Sequence, residues 1–263
     1  MRALKREEIL TINQKGWNRV APMFYGGTAL PNYGPLAATE DELHLIPDLS
    51  GKRVLELGCG SGHTLAYLWD NKNASELWGL DFSDEQIRFT KEFLGEKSIP
   101  VKLFLASMDE SPGIPENYFD LVVSIYSLGW TPDSPRTLSL VSPYLKPGGA
   151  FVFSWEQPVY QCLNFNATIG KYVFEHSYVK ERLELHPSWK GVEIVINSRR
   201  LSTYLNMLVQ SGLVFDQLIE GEPNTALARD QDFDPEKWYC IPRAQLIPTT
   251  FIVKAHKPNL ILK

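Results

Sequence analysis

Residues Val54 to Gly62 read VLELGCGSG, and this stretch decides how the chain folds. A run of buried-type apolar residues passes directly into a loop with glycine at positions 58, 60 and 62. Glycine there lets the backbone turn sharply after a strand and lets a ligand reach main-chain N–H groups without meeting a side chain. The dinucleotide fingerprint spaces its glycines G-x-G-x-x-G; counted from Gly58, the third would fall on His63, one place beyond Gly62. Glu56, two residues before the first glycine, would repel a pyrophosphate and can engage a cationic amino group. The loop therefore reads as a cradle for a cationic ligand that lacks phosphate.

Working outward from the loop, five strand-like runs, RVLEL, ELWGLD, VKLFL, FDLVVS and GAFVFSW, alternate with helix-like stretches after Gly51. Such alternation predicts a parallel sheet with helices on its faces. Ser83 and Gln86 form a capping box ahead of QIRFTKEFL, so a helix is expected immediately after Asp81. Lys146-Pro147-Gly148-Gly149 is expected to close a helix ending near Leu145. Ser202 is placed as the cap of a helix that stops at Gly212, with LVFDQLI and TTFIVKAH as two further strands. Residues 1–50 hold helical pieces at most, broken by Gly26-Gly27, Pro31, Gly34-Pro35 and Pro47, and suggest a lid or arm. Residues 156–197 keep no clean period, and their aromatic content reads as an insertion over one end of the sheet.

The chain has 263 residues, 44% of them hydrophobic, enough for one large domain or a domain with a cap. With 26 Lys and Arg against 31 Asp and Glu, the formal charge of -5 offers no global positive field for a nucleic acid. Charged residues at 22% and aromatics at 12% exclude a disordered chain. Cys59, Cys162 and Cys240 are an odd number, far apart and without a CxxC pair, so neither a disulfide framework nor a metal site is expected. MRALKREEIL lacks the pattern of a signal peptide, and LVVSIYSLGW is half the length of a bilayer span. A soluble, cytoplasmic protein is expected.

Glu56-Leu57-Gly58-Cys59-Gly60-Ser61-Gly62 resembles the first motif of the class I S-adenosylmethionine-dependent methyltransferases, an acidic residue followed by x-G-x-G-x-G. The resemblance covers about residues 50–157 strongly and extends more loosely to the C-terminus. It implies an α/β, Rossmann-like, doubly wound fold: a mostly parallel seven-stranded sheet with helices on both faces, an N-terminal arm and a cap insertion after the fifth strand. The implied division is an arm at 1–50, a cofactor-binding core at 51–157, a substrate cap at 158–198 and completion of the sheet at 199–263.

The resemblance also implies S-adenosyl-L-methionine as cofactor and distributes residues around it. Asp81, at the end of the second strand, takes the place of the acid that grips the ribose hydroxyls; a carboxylate can accept two such donors at once. A plain helix-capping role for Asp81 is the alternative. Ser107, Met108 and Asp109 fall where adenine is contacted, with Met108 as a polarizable face and Asp109 as an acceptor for the exocyclic amine. Ser124 and Ile125 fall beside the methionyl part, and Tyr25, Glu56, Gly58, Cys59, Gly60, Phe82 and Gln86 complete the expected cofactor site. Tyr126 and Trp130 look toward the acceptor, Tyr126 being open also to a packed core role.

Methyl transfer from a sulfonium needs alignment and exclusion of water, and a general base only where the acceptor must lose a proton. Glu156, His186 and His176 are the candidates, the histidines being equally readable as surface residues. Trp17, Tyr33, Tyr160 and Tyr204 are candidate acceptor contacts, and Arg199 with Arg200 would suit a carboxylate or form a solvated helix start. The partner expected is a small-molecule acceptor, neither nucleic acid nor membrane, with a homodimer left open. Two other readings are an RNA or protein methyltransferase, which would want a basic face or added module, and a nicotinamide-dependent oxidoreductase, which His63 and Glu56 disfavour.

Overall fold

The computed structural model describes residues 4–27 and 29–259. The first three residues of the expected arm and the last four of the expected C-terminal segment lie outside the described residues. Helix α1 (Arg6–Phe24) and the short α2 (Glu40–Leu43) precede the sheet. Then follow β1 (Arg53–Leu57), α3 (His63–Lys72), β2 (Glu76–Asp81), α4 (Asp84–Glu96), β3 (Val101–Leu105), β4 (Phe119–Ile125), α5 (Ser134–Tyr144) and β5 (Leu145–Glu156). The remainder consists of β6 (Leu163–Asn166), β7 (Lys171–Phe174), β8 (Arg182–Trp189), β9 (Val192–Ser198), α6 (Leu201–Gln210), β10 (Val214–Ile219), α7 (Ile241–Ala244) and β11 (Thr250–His256).

Seven strands form one sheet in the order β10-β11-β5-β4-β1-β2-β3. β1 to β5 pair in parallel, while β11 runs antiparallel to both β5 and β10. The chain moves from β1 outward to β3, then returns to lay β4 on the other flank of β1. That reversal opens a crevice beyond the carboxyl ends of β1 and β4, the place where open α/β sheets bind ligands. Side chains alternate across the sheet as a pleated strand requires. Leu55, Leu57, Val122, Phe151 and Phe153 pack with Leu138, Val141 and Met207 of α5 and α6. Val54, Leu121, Val123 and Val152 pack with Leu65, Leu68, Ile87 and Leu94 of α3 and α4.

Three local expectations are corrected. Residues 1–50 contain a 19-residue helix rather than fragments, because its breakers begin only near the end, at Pro22 and Gly26. Residues 156–197 fold as two antiparallel hairpins, β6-β7 and β8-β9. Their short strands are solvated on one side, which weakens the apolar period in the sequence. The helix after Ser198 starts at Leu201 with Arg200 as its cap residue, so Ser202 lies inside it. Ser83 does cap α4, its hydroxyl accepting the Gln86 N–H at 3.2 Å.

Candidate active site

The glycine loop is tied to the neighbouring strand before any ligand is considered. The N–H groups of Gly58 and Cys59 both donate to the Leu80 carbonyl, at 2.7 and 3.0 Å, and Gly62 closes a turn onto Cys59. The loop glycines serve different purposes. A β-carbon on Gly58 would stand 2.4 Å from Ser127 Cβ and one on Gly62 would stand 2.8 Å from Thr90 Cγ2, so both are needed for packing. A β-carbon on Gly60 would meet nothing nearer than Gln86 Oε1 at 3.9 Å. Gly60 is thus the position of the three with free space before it.

That space belongs to a cavity of about 680 Å³, a figure that includes its open mouth. Glu56, Gly58, Cys59, Gly60, Asp81, Phe82, Gln86, Met108 and Ile125 of the expected cofactor set line it, with Trp17, Tyr126 and Trp130 of the expected acceptor set. Asp81 is buried at the end of β2, and burial raises its pKa to about 6 despite the N–H groups that steady it. Its Oδ2 accepts from Gly60 N and its Oδ1 from Ser83 N, both at 2.9 Å. A carboxylate offers about four lone-pair directions, so two acceptor sites remain for a ligand's hydroxyls.

Glu56 is buried beside it, and burial pushes its carboxyl well above the ordinary range. Its Oε2 and the Oε1 of Gln86 are both buried without a hydrogen-bond partner. Two orphaned acceptor oxygens on residues lining one cavity match a donor-rich cationic group, such as the ammonium of an amino acid. Among the described residues, no Lys or Arg lines the cavity, so a pyrophosphate would meet two acidic side chains and no counter-charge. The donor set, the free space at Gly60 and the anionic lining therefore fit S-adenosylmethionine.

The other wall is aromatic. Trp17 on α1 lies 5.1 Å, centroid to centroid, from both Phe24 and Trp130, and Trp189 of β8 joins all three at 5.4 to 5.6 Å. Asn13 locks α1 to β9 by receiving the Val195 N–H at 2.6 Å and donating to the Val195 carbonyl at 2.8 Å. Gln14 donates to the Phe82 carbonyl at 2.9 Å, and Arg6 pairs with Asp109 at 2.6 Å, so the helix spans the site from end to end.

Several expected residues are not among those that line the cavity. Asp109 is turned to Arg6 and to the Ser107 hydroxyl, which together engage both of its oxygens. Ser124 Oγ pairs with Ser127 Oγ at 2.5 Å, beneath the surface. Tyr25 packs edge-on to His63 at 4.6 Å on the outer side. Tyr33 is fully buried and donates to Glu40 at 2.7 Å, and Tyr160 donates to the Trp238 carbonyl. Tyr204 sits in the core on the α6 face against Phe153 and Phe251. Arg199 is held by Ser134 at 3.1 Å and Arg200 by Glu181 at 3.3 Å, so the pair faces a protein carboxylate instead of a ligand. His186 stands on β8 opposite Ile194, and His176 follows β7 on the same cap. Glu156 is buried behind the wall, accepting from Trp238 Nε1 at 2.6 Å.

Lining residues that sequence reasoning missed are Phe24, Gly26, Gly27, Ala29, Ser61, His63, Thr64 and Ser127. Of these, Gly26-Gly27 is legible in the sequence as a break in the N-terminal segment. His63 carried no signal of its own; it stacks on Phe93 at 4.1 Å, and burial lowers its pKa.

Comparison with known proteins agrees with this geometry. Residues 55–153 match the family described as "Methyltransferase domain". The chain is 36% identical over 99 residues to the human mitochondrial arginine-hydroxylase NDUFAF5, a match covering 38% of this chain and 27% of that one. It is 28% identical over 163 residues to a fatty-acid O-methyltransferase of Mycolicibacterium smegmatis, covering 60% and 57%. In both cases it spans less than two thirds of the relative's length. A crystal structure of an S-adenosylmethionine dependent methyltransferase from Mesorhizobium loti superposes with a TM-score of 0.63 at 26% identity, covering 82% of this chain and 95% of that one. With the sheet order, the glycine loop and the acid at the end of β2 all in place, residues 55–153 form a methyltransferase domain, and the fold around it is that of S-adenosylmethionine-dependent methyltransferases.

Proposed function

We propose that this protein transfers a methyl group from S-adenosylmethionine to a small organic acceptor. One observation carries the reading: a single cavity is lined both by the glycine loop with Glu56 and Asp81 and by the aromatic wall of Trp17, Phe24, Tyr126 and Trp130. The chemistry S-adenosylmethionine supplies when bound is an electrophilic methyl group on a sulfonium sulfur. Asp81 holds two hydroxyls and Gly60 lets the backbone come close. Glu56 and Gln86 accept from the ammonium, while Met108 and Ile125 give apolar contact. The aromatic wall excludes water and orients the acceptor.

Where an acceptor must lose a proton, Glu156 is the carboxylate available, and the path to it runs through hydroxyls. Tyr126 Oη donates to Tyr239 Oη at 3.1 Å, and Tyr239 in turn hydrogen-bonds Glu156.

The fold itself does not name the reaction, since one relative is a hydroxylase. A small acceptor is favoured because α1 and the β8-β9 hairpin stand over the site, and because a relative acts on fatty acids. The RNA or protein reading would want an open, basic surface there. Cys59, Cys162 and Cys240 are all buried free thiols, which fits a reducing compartment such as the cytoplasm. Among the described residues, no helix is long and apolar enough to cross a membrane.

Thermal unfolding with S-adenosylhomocysteine, NAD or NADP tests the cofactor, and isotopically labelled cofactor with a metabolite extract, read by mass spectrometry, tests transfer. S-adenosylhomocysteine should stabilise the fold, by about 2.7 kcal/mol at a hundredfold excess over its Kd. Stabilisation by a nicotinamide cofactor alone would overturn the reading.

A further inference from the structure

We infer that the acceptor is an uncharged aromatic molecule, held against Trp17, Phe24, Tyr126 and Trp130. The inference rests on the methyl-transfer reading and adds the acceptor's class to it.

Charge is the first argument. Glu56 and Asp81 both line the cavity, and no Lys or Arg does among the described residues. Arg199 and Arg200, the pair the sequence offered for a carboxylate, are held by Ser134 and Glu181 away from that lining. Lys190 lies 5.7 Å from the centroid of the Phe24 ring without lining the cavity. A carboxylate or phosphate acceptor would lose water there and gain no counter-charge from a lining Lys or Arg. A cationic acceptor fails for the opposite reason. The accepting atom needs a free lone pair, and a positive charge beside a sulfonium is repelled.

Shape and rigidity are the second argument. Trp17 is tilted 54° to Phe24 and 81° to Trp130, and Trp130 meets Trp155 behind it at 87°. These tilted and edge-to-face packings continue through three chain segments, and a further planar ring extends them in the geometry that aromatic pairs prefer. The wall is fixed before binding: Asn13 Nδ2 donates to the Trp130 carbonyl at 3.3 Å as well as to Val195, and Ser127 Oγ donates to the Leu57 carbonyl at 2.8 Å. A rigid wall favours a rigid ring over a flexible chain, which must be ordered on binding.

Calorimetry with the protein saturated by S-adenosylhomocysteine tests this, using 2-naphthol, 2-naphthoate and 1-octanol as probes. Naphthol should bind, with naphthoate at least about tenfold weaker and octanol weaker than naphthol. Trp130→Ala should weaken naphthol about tenfold, the scale of one lost ring contact, while Trp130→Phe keeps most of the affinity. Both variants should hold S-adenosylhomocysteine within about twofold, which also reports that they are folded. The inference falls if naphthoate matches naphthol, if octanol exceeds it, or if S-adenosylhomocysteine binds and naphthol does not. Failure of S-adenosylhomocysteine itself to bind would overturn the cofactor reading and this inference with it.

Discussion

At the scale of single residues, Asp81 couples the site to pH. Burial lifts its pKa to about 6, above the ordinary value of 3.8 that it has in the unfolded chain. The folded state therefore holds the proton more tightly, so this group's contribution to stability is full below the unfolded value and is lost as pH rises through about 6. Ligand binding has the opposite preference, because only the carboxylate form accepts two hydroxyls. Affinity for S-adenosylhomocysteine should be level above pH 7 and fall about tenfold per unit below pH 6. Asp81→Asn should bind weakly with that slope flattened; calorimetry from pH 5 to 8 measures both.

Two glycines of the same loop make a contrasting pair. Gly58→Ala puts a methyl group against Ser127 at a φ of 71°, and should cost about 2 to 4 kcal/mol of folding stability from overpacking and left-handed strain. Gly60→Ala, at a φ of 51°, points its methyl into the cavity. It should cost only about 1 to 2 kcal/mol of stability, yet reduce S-adenosylhomocysteine affinity at least about tenfold, as a methyl blocks close approach. Denaturant unfolding and calorimetry on both variants separate packing from ligand approach.

At the scale of elements, the N-terminal region is bound into the core by polar contacts that its sequence does not announce. Glu40 at the start of α2 is fully buried and accepts from Tyr33 Oη, Leu45 N, Ile46 N and Lys72 Nζ, at 2.6 to 3.0 Å. Lys72 comes from α3, so the pair pins the segment before β1 to the helix that follows the glycine loop. Lys72→Met removes one partner and leaves a buried carboxylate, and should destabilise the fold by about 3 to 5 kcal/mol in denaturant unfolding. A loss below about 1 kcal/mol would show that water replaces the lysine. Element types were readable wherever one local pattern dominated, as in β1 to β5 and in α4 behind its Ser83 cap. The hairpins over residues 163–198 were not, because alternation on a solvated ribbon resembles an irregular polar loop.

At the scale of the whole molecule, most of the residues proposed to hold the cofactor were legible in the sequence, and the structure brings them to one cavity. Glu56, Gly58, Gly60 and Asp81 lie close to strand ends, and a strand followed by a tight glycine turn places its neighbours by backbone geometry alone. The parallel core followed from the same alternation of apolar runs. The aromatic wall proposed for the acceptor exists only in the folded chain. Trp17, Phe24, Trp130 and Trp189 meet only after α1 crosses the site and β8 returns beside it. Arg199, Arg200, Tyr33 and Tyr204, equally plausible as a string of letters, are turned to Ser134, Glu181, Glu40 and the α6-facing core. Local geometry is encoded within a few residues. Which side chains share a wall depends on how segments more than a hundred residues apart pack, and no single stretch of sequence carries that information.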